Sequence, residues 1–156
     1  MRKKESCKGF TLLEMIITVI IIATLAAVAV PMVETSVKRE KEIELRRNLR
    51  TIRMAIDEYK KFVEENNLKL DEDTYNYPEE LEELVEGLEY KDQNADEKIK
   101  KFLRSIPIDP MTNSTEWGLR SYQDKRDSHS WGGENVYDVY TKSDRKALDG
   151  TFYKEW

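Results

Sequence analysis

Gly9-Phe10-Thr11-Leu12-Leu13-Glu14, running into nineteen charge-free residues from Met15 to Val33, is the stretch that decides the fold. At ~1.5 Å of rise per residue, about 20 helical residues span the hydrocarbon core of a bilayer. Residues 10–33 therefore predict a transmembrane helix. Ahead of it Arg2, Lys3, Lys4 and Lys8 stand against Glu5, a local +3. Positive residues stay in the cytoplasm, so the N-terminus is expected there and residues 34–156 on the other side. A cleaved secretory signal is the competing reading, because Ala27-Val28-Ala29 is a small-x-small cleavage site that would start the mature chain at Val30. The apolar run from Phe10 is long for such a signal, and a carboxylate at its start weakens it.

The basic leader, the Gly-Phe-Thr-Leu-Leu-Glu sequence and the long apolar run together resemble the N-terminus of type IV pilins and of the pseudopilins of type II secretion. Counted from Phe10, Glu14 is the fifth residue and Pro31 the twenty-second, spacings similar to the pilin pattern. The resemblance implies an α+β, type IV pilin-like fold, with a long N-terminal helix, transmembrane in its first half, packed on a small antiparallel sheet. It implies a cleaved leader, residues 1–9, and a prepilin peptidase that cuts between Gly9 and Phe10 and methylates Phe10.

Glu14 is the residue that needs a partner. An ionisable group costs on the order of 2–3 kcal/mol at a bilayer centre and less near an interface. Cutting after Gly9 would create an ammonium on Phe10, four residues from Glu14 and on the same helical face. That ammonium, or the one on a neighbouring subunit, would pair with the carboxylate, and low-dielectric burial would penalise a wrong register. The plainer alternative is an interfacial glutamate that snorkels. Pro31 removes one backbone donor inside the helix and is expected to kink it.

Beyond Val33 the sequence is highly charged yet still helical in period. Leu45, Leu49, Ile52, Ile56, Tyr59 and Val63 form one stripe at 4-3-4-3-4 spacing, the expected core face. Arg46, Arg47, Arg50, Arg53, Lys60 and Lys61 fall mostly off it, interleaved with Glu40, Glu42, Glu44, Asp57 and Glu58, which reads as a solvated or subunit-contacting face. Asn66-Asn67 is expected to end the helix. Pro78, Glu79 and Glu80 suit the start of a short helix with Leu81, Leu84, Val85 and Leu88 on its apolar face and Gly87 as its stop. A second short amphipathic piece is expected over Asp96–Leu103. Ile106-Pro107-Ile108-Asp109-Pro110 excludes regular helix. Strands are expected around Leu119–Gln123, Val136–Thr141 and Thr151–Tyr153, with turns at Trp131-Gly132-Gly133 and Asp149-Gly150.

Tyr77-Pro78, then Leu81 and Leu84, then Pro107-x-Asp109-Pro110, strands and an Asp/Gly loop follow an order similar to the major pseudopilin family. A C-terminal cysteine pair, common in adhesion and motility pilins, is absent: the one cysteine, Cys7, lies in the leader. In that family the C-terminal loop commonly holds calcium, which the resemblance transfers to Ser143, Asp144, Leu148 and Asp149. Calcium takes six to eight oxygens. Here the far end of the loop has Asp149 alone, and Arg145 and Lys146 bring positive charge. A charged β-turn with an Asx-type cap is the alternative.

The formal charge of −5 becomes −8 once the +3 leader is removed, which argues against nucleic-acid binding. The single histidine, His129, has no second histidine or mature cysteine to build a metal or nucleophile site with. No enzyme is expected. The resemblance implies a major pseudopilin, stored in the inner membrane with its C-terminal domain in the periplasm. It would polymerise with itself and minor pseudopilins on an inner-membrane platform driven by an ATPase, to export folded proteins through the outer membrane. A type IV pilin of surface fibres for adhesion or motility is the alternative. A soluble periplasmic domain released by signal peptidase is the third reading.

Overall fold

The computed structural model describes residues 9–68, 70, 72–91, 96–125, 128 and 130–156, with the side chains of Val28, Pro31 and Glu72 left aside. Cys7 and His129 lie outside the described residues. The chain divides into two compact units, Met1–Arg39 and Glu40–Trp156.

Helix α1, Leu12–Asn66, supplies most of the first unit and the first element of the second. In the first unit its large apolar residues, from Leu12 to Val33, are exposed wherever described. It is the one described helix long and apolar enough to cross a membrane. Helical secondary structure continues through Pro31.

In the second unit the periodic stripe is the core. Leu45, Leu49, Ile52, Ile56, Tyr59 and Val63 are all buried, at 2% exposure or less. Burying each such aliphatic side chain contributes ~1.5–3 kcal/mol. The helix stops where the asparagines predict. Asn67 takes φ 49, and the Leu68 and Asn67 N–H groups donate to the carbonyls of Val63 at 3.1 Å and Glu64 at 3.3 Å. This is a Schellman closure with asparagine in the left-handed position.

After a 3-10 turn, Glu72–Thr74, comes α2, Glu83–Glu86, much shorter than the expected helix from Pro78. The Glu83 carboxylate accepts the N–H groups of Glu79 at 2.9 Å and Glu80 at 3.3 Å. It thereby holds residues 79–82 in a turn ahead of the helix. Gly87 ends α2 at φ 90, where a Cβ would lie 2.5 Å from the Lys100 carbonyl oxygen.

That close approach belongs to a hairpin. Strand β1, Leu88–Lys91, pairs antiparallel with β2, Glu97–Lys100, in the register Leu88↔Lys100. The amphipathic piece expected over Asp96–Leu103 is therefore strand, then bend. Glu-Lys-Ile-Lys is too short for its period to separate strand from helix, and pairing with Leu88–Lys91 decides it. Tyr90 and Phe102 pack on Phe62 of α1 with ring centroids 5.0 and 5.8 Å away.

Strands β3, Gly118–Arg120, and β4, Asp138–Tyr140, pair antiparallel in a second two-stranded sheet. The architecture is thus the α+β, pilin-like one, built on two small ribbons instead of one sheet. Val139, Tyr140 and Thr141 are all buried, so β4 and the residue after it do not alternate between core and solvent. Gly118 lies against the Tyr140 ring, which a Cβ would meet at 2.3 Å. The third expected strand is a single bridge, Lys146↔Phe152, followed by a 3-10 turn, Tyr153–Glu155.

Candidate processing and assembly sites

Gly9 and Phe10 are exposed and precede the helix, so the peptide bond between them lies in accessible, non-helical chain. The first turn of α1 is capped by Thr11. Its Oγ1 accepts the Glu14 N–H at 3.2 Å, and its carbonyl accepts the Met15 N–H at 3.2 Å. Thr11-x-x-Glu14 has the spacing of a capping box. Glu14 thus stands in the first turn, where a carboxylate also complements the helix dipole. The cap was legible in the sequence as Thr-x-x-Glu ahead of an apolar run, a signal the reading of Glu14 as a pairing group passed over.

In the second unit two networks tie the late chain to α1. Glu42 Oε1 accepts the Leu148 N–H and the Tyr153 hydroxyl, both at 2.8 Å. Burial, then the neighbouring Glu42, pushes the Tyr153 hydroxyl up to about 12. Asp138 is shared by two guanidiniums, Arg53 Nε at 2.6 Å and Arg120 Nη1 at 3.3 Å. Arg53 Nη2 also donates to the carbonyls of Val139 at 3.1 Å and Trp156 at 2.9 Å. One arginine therefore joins α1, β4 and the end of the described chain.

The Pro107-x-Asp109-Pro110 motif has a structural task. Asp109 is fully buried. Its carboxylate accepts the Met111 N–H at 2.7 Å and the Thr141 hydroxyl, locking this turn to the residue after β4.

Ser143, Asp144, Leu148 and Asp149 fall within one loop, and three of them bond to neighbouring side chains. The Asp144 carboxylate is taken by Lys154 Nζ at 2.9 Å. Ser143 Oγ accepts from Arg145 Nε at 3.3 Å, and Arg145 Nη2 continues to the Met111 carbonyl. Asp149 Oδ1 accepts the Thr151 N–H at 2.9 Å and its hydroxyl at 2.6 Å, an Asx-type turn. Those hydrogen bonds, more than the nearby Arg46, hold the Asp149 carboxyl below its ordinary value. Among the described residues no three histidine, cysteine or acidic side chains are grouped to hold a metal. Asp144 Oδ1, Ser143 Oγ and Asp149 Oδ1 thus already accept from Lys154, Arg145 and Thr151.

Neither Glu42 nor the Arg53–Asp138–Arg120 group was anticipated. Glu42 read as one of several acids on a solvated or subunit-contacting face, and Asp138 only as part of an expected strand. Their partners lie 111 and 85 positions away in the chain, for Glu42 with Tyr153 and Arg53 with Asp138.

A family model described as the prokaryotic N-terminal methylation motif matches residues 5–30. Over 136 residues, 85% of this chain and 87% of the relative, the sequence is 27% identical to the type II secretion system core protein G of Pseudomonas aeruginosa. No solved structure matches. The chain thus matches the N-terminal methylation motif at its head and is similar, over most of its length, to a core protein of type II secretion.

Proposed function

We propose that this chain is the major pseudopilin of a type II secretion system, a structural subunit without catalytic activity. The observation that carries this reading is the likeness to core protein G across 85% of the chain, with the methylation motif at its head. It favours a secretion pseudopilus over a surface pilus.

The prepilin peptidase cuts after Gly9 and methylates Phe10. The mature subunit waits in the inner membrane, with its C-terminal domain in the periplasm. The platform and its ATPase then draw it into a filament with minor pseudopilins. A helix face that is exposed from Leu12 to Val33 supports this sequence of events. Lipid covers it first and neighbouring helices afterwards, so extraction exchanges one apolar environment for another. Glu14 then sets register by pairing with a Phe10 ammonium, and Pro31 allows the helix to adjust.

The test is the secreted proteome of a strain lacking this gene beside a complemented strain. Loss of several folded exoproteins, with their accumulation in the periplasm, is the expected result. An unchanged secretome with lost surface adhesion or motility would move the assignment to a type IV pilin.

A further inference from the structure

The soluble half of α1 carries a second stripe facing away from its core stripe. Ile43, Arg47, Arg50 and Met54 follow each other at 4-3-4 spacing. Ile43 and Met54 are each 63% exposed. Arg47 and Arg50 are exposed, with no ion-pair partner among the described residues. Arg46, Arg50, Arg53 and Met54 line an open groove beside the Trp156 ring. One wall is braced by the Arg46 guanidinium, stacked 3.8 Å from the Trp156 ring centroid. Residues 46–54 hold four arginines and no acid, whereas residues 79–90 hold six glutamates and no base. Arg46 reaches Asp149 at 3.9 Å and Arg53 is bonded to Asp138, which leaves Arg47 and Arg50 as the uncompensated charges. Glu83 is used internally, by Tyr59 and by the turn ahead of α2. The other five are exposed and form no ion pair among the described residues.

One molecule therefore displays two patches of opposite sign that do not neutralise each other. Their placement says how two copies would use them. The Glu83 contact with Tyr59 fixes the acidic patch nine residues beyond Arg50 along α1, an axial offset of roughly 14 Å at about 1.5 Å per residue. Copies held in one membrane share one orientation. A two-fold axis along the helix direction leaves both copies at the same height, so it cannot bring these patches level. A shift along the axis can, and a contact between two different patches repeats without closing.

We propose that the arginine groove of α1 is the docking surface for the acidic Glu79–Glu89 patch of a second copy of this chain, in a head-to-tail contact that repeats along the filament. This rests on the polymerising role proposed above and adds which surfaces meet. Ile43 and Met54 flank the charges and exclude water from them. The ion pairs supply steering and register more than raw affinity.

The test uses the full chain in its native cells. With Cys7→Ser, Arg50→Cys and Glu82→Cys together, oxidation is expected to give a ladder of covalent multimers, while either cysteine alone leaves the chain unlinked. In parallel, Arg47→Glu with Arg50→Glu should lower filament yield by about tenfold, since like charges then face each other. Adding Glu82→Arg and Glu86→Arg should restore the yield, which a misfolded variant would not do. Wild-type filaments combined with a ladder that stops at dimers, or with full yield in the first charge-reversed variant, would overturn the docking proposal and leave the polymerising role standing. Absence of any filament from the wild-type chain would remove both.

Discussion

Two stretches of the same helix, Leu12–Val33 and Leu45–Val63, have the same backbone and opposite fates. Beyond Glu14 the first is apolar on all sides, and its described large apolar residues are exposed. The second is apolar along one stripe, and that stripe is buried at 2% exposure or less. A helix satisfies its backbone hydrogen bonds locally whatever surrounds it, so conformation does not distinguish the two. What distinguishes them is the distribution of side chains around the axis. An all-round apolar helix needs lipid or neighbouring helices, while a one-sided stripe needs only its own domain.

The largest expected effect tests the first stretch. Glu14→Val should leave cleavage after Gly9 intact and abolish filaments, read by N-terminal sequencing and electron microscopy of the same cells. Filaments of normal yield would remove the register role from Glu14. The next effect sets the two stretches side by side. Ile52→Ala should destabilise the soluble unit by ~2–5 kcal/mol through the cavity it leaves. Ile21→Ala should leave thermal unfolding of that unit unchanged in the detergent-solubilised chain. Equal losses in both would mean the stretches do not have separate roles.

A smaller loss is expected at Glu42. Glu42→Ala leaves the Leu148 N–H and the buried Tyr153 hydroxyl without their acceptor, a cost of ~1–3 kcal/mol per buried group. The same contact has a pH signature. The Tyr153 hydroxyl is raised from 10.0 to about 12, so its contribution is fully present below pH 10 and is lost as pH rises through about 12. Thermal melts across that window should fall more steeply in the wild type than in Tyr153→Phe. The smallest expected effect is at the C-terminal loop. Calcium or a chelator should leave the melting temperature unchanged, because Lys154, Arg145 and Thr151 already bond to side-chain oxygens of Asp144, Ser143 and Asp149. A rise of several degrees with calcium would show that these contacts yield to the ion.

Much of the fold was legible because it rests on short-range pattern. The core stripe, the stop at Asn66-Asn67 and the non-helical Pro107–Pro110 segment each depend on residues within a few positions of one another. The β1–β2 hairpin was missed because Glu97–Lys100 carries no decisive period, and its identity comes from the strand it meets. The division of the late strands into a separate ribbon depends on the same kind of distant pairing.

For the functional residues the boundary falls in the same place. The linear sequence determined the membrane-length helix, the processing motif and the face of α1 that becomes core, since each is a local pattern of charge, spacing or hydrophobicity. Only the tertiary structure decided that Glu42 clasps Tyr153, that Asp138 is shared by Arg53 and Arg120, and that Lys154 takes the Asp144 carboxylate. A charged side chain on an amphipathic surface has many energetically similar partners in solution. Chain folding selects one by bringing distant segments within hydrogen-bond reach, and local composition holds no record of that choice.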